Sequence, residues 1–275
     1  MAAAAPDAGD FLLRAEKVSL DLDGHSILRG VDLEIRAGAS QRQPGGQVVA
    51  LVGPSGIGKT QLLRILAGLQ RPGSGTVRIG PAQEQVRAGA VGMVAQHYPL
   101  FEHRTVLGNL MIAGSGGKLS RQALHDKVHE LLSRFSLEDR ANFYPAQLSG
   151  GQRQRVAIAQ QFITEKHFLL MDEPFSGLDP LGVHSVCAII CEVSARDPSN
   201  TTILITHDIE AALEVADTIW LLGRDHLADD CPLPGARIQE TYNLVERGFK
   251  ADRACGLTPE LLTLALEIRN RFKHL

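Results

Sequence analysis

The sequence predicts an α/β fold that combines a mostly parallel central sheet, an antiparallel β subdomain and an inserted α-helical subdomain. Two continuous apolar runs, Val48–Val52 and Phe168–Met171, are typical of strands buried on both faces of a parallel sheet. Residues Phe11–Ile35 alternate apolar positions with turn glycines, which indicates antiparallel strands. Because residues 100–165 show mostly helical spacing between the two runs, we expect the helical subdomain to be inserted into the sheet.

A glycine-rich loop follows the first apolar run and precedes a segment with helical spacing. It consists of Gly53, Pro54, Ser55, Gly56, Ile57, Gly58, Lys59 and Thr60. This run fits the phosphate-loop pattern G-x-x-x-x-G-K-[ST], whose glycines let backbone N–H groups converge on phosphate oxygens at a helix N-terminus. Lys59 can then reach the β- and γ-phosphates, and the Thr60 hydroxyl can ligate Mg²⁺. The sequence therefore predicts a P-loop NTPase core.

The run Phe168–Met171 and a third predicted strand, Thr202–Thr206, are each followed by polar residues suited to hydrolysis. Asp172 and Glu173 follow Phe168–Met171, at the sheet edge where α/β proteins bind ligands. We expect Asp172 to hold Mg²⁺ and Glu173 to act as the base that polarises the attacking water. An isolated acidic pair is more often a helix cap, but the upstream loop favours the catalytic interpretation. His207 ends the run Thr202–Thr206 and could contact the γ-phosphate, although a lone histidine is usually structural.

A fourth motif, Leu148–Gln152, reads Leu-Ser-Gly-Gly-Gln and lies between the phosphate loop and the acidic pair. With these motifs in this order, residues 11–223 resemble the nucleotide-binding subunit of an ABC transporter. Gln96 ends a predicted strand as the Q-loop of that family does, and Ser176–Asp179 is similar to its D-loop. The Leu-Ser-Gly-Gly-Gln element is highly specific to the family.

The resemblance implies that two subunits sandwich two ATP molecules, with Lys59 and Glu173 of one subunit facing the Leu148–Gln152 motif of the other. The Ser-Gly-Gly sequence ahead of a helical pattern independently indicates a second anion-receptive helix N-terminus. Gln96 is expected to contact both the Mg²⁺ ion and the attacking water. Further nucleotide contacts are expected from Ser149, Gly150, Gly151, Gln152 and Asp179.

The chain departs from the family pattern at four places. No Phe, Tyr or Trp is available near Leu22 to stack on adenine; His25 could substitute, whereas Leu22 would give only apolar contact. Gln61 and Gln160 replace residue types that are common in the family, and Ala39–Pro44 is an insertion expected to form an exposed hairpin tip. None of these changes removes a predicted catalytic residue, so both composite sites of a homodimer are expected to be competent.

Composition excludes several other classes of protein. The chain has 275 residues, of which 44% are hydrophobic, and a formal net charge of −3, which argues against a nucleic-acid binder that relies on a basic field. No apolar run is long enough to span a bilayer. Cys187 and Cys191 lie among apolar residues and are expected to be buried thiols in a reducing compartment.

We expect three segments along the chain: a disordered lead-in at residues 1–10 without a signal-peptide pattern, an ATPase domain at 11–223, and a loop and helical extension at 224–275. Leu119–Phe135 has amphipathic helical spacing, and Thr258-Pro259 is a typical helix start. The segment Tyr98–Val106 is where the resemblance predicts contact with a membrane partner.

By this resemblance, the chain is expected to be a peripheral ATPase at the cytoplasmic face of the inner membrane. Its expected partners are a second ATPase subunit, transmembrane permease subunits and a substrate-binding protein, without nucleic acid. Leu100–Leu110 is similar to subunits that energise amino-acid uptake. The alternative is a soluble ABC-type ATPase acting on DNA or ribosomes, although such relatives usually carry tandem units or a long coiled coil. A generic P-loop kinase would not explain Leu148–Gln152.

Overall fold

The computed structural model describes residues 11–36, 46–117, 119–164, 166–195, 197, 200–226, 231–249 and 257–272. The predicted lead-in at 1–10 and the Ala39–Pro44 insertion lie outside these residues. The elements in chain order are β1 (Phe11–Leu22), β2 (His25–Arg36), β3 (Gln47–Val52), α1 (Lys59–Leu66), β4 (Ser74–Ile79), β5 (Glu84–Gln85), β6 (Gly92–Val94), α2 (Val106–Gly114), α3 (Arg121–Arg134), α4 (Gly150–Ile163), β7 (Phe168–Asp172), α5 (Pro180–Ala195), β8 (Thr201–Thr206), α6 (Ile209–Val215), β9 (Thr218–Gly223), β10 (Arg237–Asn243) and α7 (Pro259–Arg271), with short 3₁₀ turns at Glu138–Arg140 and Pro145–Gln147.

The central sheet has six strands in the order β10-β9-β3-β8-β7-β6, all parallel except β10, which pairs antiparallel with β9. Every residue of β3, β7 and β8 is buried, as their apolar sequences predict. Because these three strands are parallel neighbours, their carboxyl ends meet at one edge of the sheet. That edge carries Gly53, Glu173 and His207, the residues that follow them.

The two faces of the central sheet contact different apolar clusters, because successive side chains of a strand point to opposite sides. Val49 and Leu51 of β3 join a cluster with Leu62, Leu63 and strands β1 and β2, whereas Val48, Ala50 and Val52 join a second cluster with helices α2 to α7. The antiparallel region predicted from Phe11–Ile35 is confirmed as β1 and β2, in a four-stranded sheet ordered β2-β1-β4-β5.

Helices α2, α3 and α4 lie between the neighbouring strands β6 and β7 in the chain. The predicted amphipathic helix is confirmed as α3, which begins after the Ser120 cap. Its inner face buries four side chains, and Phe135 just after its end is 1% exposed. The buried side chains of α3 are Leu124, Val128, Leu131 and Leu132.

The carboxy-terminal residues add one predicted and one unpredicted element. Helix α7 begins where the sequence indicates, with the Thr258 hydroxyl accepting from the Leu261 N–H and Pro259 at the first helical position. Strand β10 was not anticipated, because its polar sequence has little apolar periodicity and pairing with β9 gives it its conformation. Within the described residues, no helix combines the length and the apolar character needed to cross a membrane.

Candidate nucleotide-binding site

The phosphate loop connects β3 to α1 through backbone conformations that require glycine. Gly58, which precedes the first residue of α1, has a φ of 111°, and a Cβ atom there would lie 2.9 Å from Cγ2 of Ile27 in β2. No side chain caps this helix N-terminus. The first N–H groups of α1 are therefore the orphan donors of a helix start, which suit them to an anion.

Lys59, the first residue of α1, is 6% exposed and turns its ammonium back onto the loop. Its Nζ donates to the carbonyl oxygens of Gly53 at 2.8 Å and Pro54 at 3.0 Å. Burial lowers the pKa of Lys59, while the nearby carboxylates of Glu173 and Asp172 raise it and partly offset the burial. The lysine thus brings a buried positive charge close to the acidic pair.

Thr60 and Asp172, which come from different elements, meet at the carboxyl edge of the sheet. The Thr60 hydroxyl donates to Oδ1 of Asp172 at 3.3 Å, and Asp172 is 4% exposed. Burial raises the pKa of Asp172, and the neighbouring Glu173 carboxylate adds to the rise, whereas the Thr60 hydrogen bond and Lys59 lower it. One hydroxyl and one carboxylate at hydrogen-bond distance are the hard oxygen donors that Mg²⁺ prefers.

Glu173 and His207 form a pair beside these residues. Nδ1 of His207 lies 2.9 Å from Oε2 of Glu173, whose side chain is 12% exposed compared with 59% for His207. Glu173 has a φ of 51°, which is unusual for a residue other than glycine, and its N–H donates to the carbonyl of Ile205 at 2.9 Å. Such a conformation costs about 1–3 kcal/mol and is found most often at functional sites.

Tyr98 is the residue of this site that the sequence did not reveal. Its hydroxyl donates to the main-chain carbonyl of Glu173 at 3.4 Å. Burial, together with the negative charges of Glu173 and Asp172, raises the pKa of Tyr98 to about 12, so the phenol remains a donor at neutral pH. The sequence predicts Tyr98 only as part of the segment that contacts a membrane partner. Its position two residues after Gln96 was the one available signal.

The Leu148–Gln152 motif forms the start of α4. The Ser149 hydroxyl accepts from the Gln152 N–H at 3.3 Å, and the Gln152 carboxamide oxygen accepts from the Ser149 N–H at 3.0 Å. This reciprocal capping box lies on the surface, with Ser149 and Gly150 exposed. Among the described residues, no hydrogen bond joins Ser149 or Gln152 to the phosphate loop.

Gln96 and Asp179 are both exposed in the structure. Gln96 lies two residues after β6, at the same edge of the sheet as Asp172. Asp179 precedes α5, and its Oδ1 accepts from the Gly182 N–H at 2.6 Å. Among the described residues, the Asp179 carboxylate thus accepts from the start of its own helix and not from the phosphate loop.

Comparison with known proteins identifies the family. Residues 38–176 match the ABC transporter family model. The chain is 38% identical over 219 residues to the sulfate/thiosulfate import ATP-binding protein CysA of Pseudomonas aeruginosa, covering 77% of this chain and 64%, less than two thirds, of that protein. It is 36% identical over 228 residues to the arginine transport ATP-binding protein ArtM of Bacillus subtilis, covering 80% of this chain and 90% of that one.

The fold is shared with solved ABC structures. CbiO1 of Clostridium perfringens, described as part of an ABC transporter complex, superposes with a TM-score of 0.71 at 24% identity and covers 96% of this chain and 98% of its own. This likeness supports the P-loop NTPase fold, with its parallel sheet, antiparallel sheet and helical segment. The family match and the similarity to ArtM show that the chain belongs to the ABC transporter family.

Proposed function

We propose that the protein binds and hydrolyses ATP, dimerises, and powers the transport of a solute through a separate membrane permease. The observation that carries this proposal is the Glu173–His207 pair, which lies next to the buried Lys59 ammonium and the Thr60–Asp172 hydrogen bond. A base, a cation and a pair of hard oxygen ligands are the groups that hydrolysis of a phosphoanhydride needs.

The phosphates of ATP bind at the N-terminus of α1. Their oxygens accept from the backbone N–H groups of the loop Gly53–Thr60, and the Lys59 ammonium turns to them from the Gly53 and Pro54 carbonyls. The exchange replaces two neutral acceptors with anionic ones, which form stronger hydrogen bonds with an ammonium. Ordered loop carbonyls thus hold the lysine near its working position before ATP binds.

The residues at the sheet edge fit a hard divalent cation. Thr60, Asp172 and Gln96 would hold Mg²⁺, which, when bound, neutralises the charge on the β- and γ-phosphate oxygens. Glu173 accepts the proton of the attacking water, and Tyr98 and Ile205 fix the backbone that carries this carboxylate.

His207 has two tasks in this scheme. Its Nδ1 lies 2.9 Å from Oε2 of Glu173 and can donate to that carboxylate. The other ring nitrogen, Nε2, faces the γ-phosphate and donates to it when both ring nitrogens carry a proton. The histidine thereby orients the base and senses the group that is cleaved.

The second half of each site comes from another subunit. Ser149, Gly150, Gly151 and Gln152 start α4 on the surface, and no hydrogen bond of the described chain joins Ser149 or Gln152 to the phosphate loop. The second copy presents this helix start to the γ-phosphate, and Asp179 lies at the same dimer surface. Two such sites form in a homodimer.

The functions for which the relatives are named support transport over the soluble alternative. CysA and ArtM are named as import and transport ATP-binding proteins, and neither name refers to DNA or ribosomes. We place the dimer on permease subunits at the cytoplasmic face of the inner membrane, with a substrate-binding protein completing the system. The segment Tyr98–Val106 makes the permease contact. Relatives named for sulfate and for arginine both match this chain. The choice of cargo therefore lies with the permease and the substrate-binding protein.

Substitution of Glu173 by Gln tests the proposal. Glu173→Gln removes the base but keeps the size of the side chain, so ATP hydrolysis should fall about 10²- to 10⁴-fold, as for loss of a general base. With ATP, this variant should accumulate as a dimer in light scattering. The control is Glu246→Gln, at an exposed turn near the opposite end of the sheet, which should behave as wild type. Wild-type turnover by Glu173→Gln would refute the assignment.

A further inference from the structure

Two histidines on the outer face of α3 lie one helical turn apart. His125 and His129 are both exposed, while the opposite face of the helix is held by buried leucines and Val128. Their Nε2 atoms are 3.3 Å apart, with ring centroids at 4.4 Å and an interplanar angle of 51°. The two rings therefore direct their terminal nitrogens to one point on the surface.

This separation matches the spacing of two ligands on a tetrahedral metal ion. Imidazole nitrogens bind Zn²⁺ at about 2.0–2.1 Å, which places two tetrahedral ligands about 3.3–3.4 Å apart. Without a metal, one ring must donate a proton to the other, so the contact depends on complementary tautomers. A metal ion uses the lone pairs of both nitrogens at once, and the i, i+4 spacing on a rigid helix supplies the arrangement without moving the backbone.

We propose that His125 and His129 form a two-ligand site for a borderline transition-metal dication such as Zn²⁺, Ni²⁺ or Cu²⁺. Imidazole is a preferred ligand of these ions, whereas Mg²⁺ prefers oxygen, so the site is chemically separate from the nucleotide site. Among the described residues, no group of three or more His, Cys, Asp or Glu side chains is arranged for a metal. Water or a donor from another molecule therefore completes the coordination sphere.

The arrangement is held by packing on one side and is accessible on the other. Leu124 and Val128 each precede one of the two histidines and are 5% and 0% exposed, so their packing fixes the rotation of the helix. Asp126 lies between the two histidines in sequence. Its carboxylate accepts from the Gln122 carboxamide at 2.9 Å, so it points along the helix towards Gln122. Metal binding would bridge one turn of α3 and stabilise it.

Calorimetric titration of the full chain with ZnCl₂, after treatment with EDTA and in excess Mg²⁺, tests this site. Wild type should bind one ion at this position, and His125→Ala and His129→Ala should each weaken that affinity at least tenfold, because chelation needs both rings. The double variant His129→Ala with Glu130→His keeps the number of histidines but changes the spacing, and it should be as weak as His129→Ala. His184→Ala, an exposed histidine on α5, should bind as wild type does.

A second measurement identifies the ligands directly. Substoichiometric Cu²⁺ should broaden the imidazole NMR signals of His125 and His129 before those of the other histidines. Wild-type Zn²⁺ affinity in either single variant, or in the spacing variant, would overturn the proposal. So would earlier broadening of a different histidine. Both residues are exposed, so circular dichroism of the variants should match wild type.

Discussion

The starts of helices α1 and α4, the two helix N-termini expected to bind phosphate, differ in how their backbone donors are occupied. The N-terminus of α1 follows Gly58, has no side-chain cap and carries the buried Lys59. The N-terminus of α4 is closed by the Ser149–Gln152 capping box and lies on the surface. The start of α1 therefore presents uncapped backbone donors, whereas at the start of α4 the capping box engages the Ser149 and Gln152 N–H groups. In the proposed dimer, each chain thus carries a prepared half-site at Gly58–Lys59 and a dormant half-site at Ser149–Gln152, which acts only on the nucleotide of the other subunit.

Among changes that test this comparison, the largest fall in ATP turnover should come from the prepared half-site. Lys59→Met keeps much of the buried aliphatic stem but removes the ammonium, so ATP affinity and turnover should both fall, turnover by about 10²- to 10³-fold, as for loss of one preorganised donor. Fluorescent nucleotide binding and phosphate release would measure the two quantities. If Lys59→Met binds ATP normally, the contrast between the two helix ends is wrong.

The dormant half-site should separate binding from turnover. Ser149→Arg places a bulky cation at the proposed dimer surface, so turnover should fall at least about 10²-fold. Nucleotide affinity should stay near wild type, because the nucleotide binds mainly to Lys59 and the phosphate loop of one subunit, whereas Ser149 comes from the other. Ser120→Arg is the matched control, since Ser120 caps α3 in the same way. Equal losses in both variants would mean that the effect is only loss of a helix cap.

The smallest fall in turnover should come from a change that affects the position of Glu173, the proposed base beside Lys59. Tyr98→Phe removes the hydrogen bond to the Glu173 carbonyl, and a net value of about 0.5–1.5 kcal/mol corresponds to a roughly 2- to 10-fold fall in kcat. KM for ATP should remain unchanged, because Tyr98 has no predicted phosphate contact. The exposed Tyr144 gives the control, Tyr144→Phe. A change confined to KM would contradict the positioning role.

Sequence reasoning located the parts of the site that depend on local pattern. Asp172 and Glu173 follow the apolar run Phe168–Met171, and His207 follows Thr202–Thr206, so each could be placed at the carboxyl end of a predicted strand. Gly58 could be assigned because the phosphate-loop pattern reports a local backbone conformation.

Features that depend on long-range contacts were missed. The Tyr98 hydroxyl donates to the main-chain carbonyl of Glu173, which is 75 residues away in the sequence, and a main-chain acceptor leaves no residue-specific mark in the sequence. Strand β10 is similar, because its polar residues become a strand only against the preformed edge of β9. The Glu173–His207 contact, between two residues that were each predicted separately, likewise emerged only from the fold.

The start of α4, which is capped by its own side chains and lies on the surface, determines when ATP is consumed. Under the proposed dimer, a dispersed subunit meets its partner rarely, so it holds ATP without hydrolysing it. Two copies fixed side by side on one permease face each other at an effective concentration on the order of millimolar, as tethered binding modules do. The rate of ATP hydrolysis then depends more on assembly of the dimer than on ATP concentration. ATP is consumed by subunits that are bound to a permease.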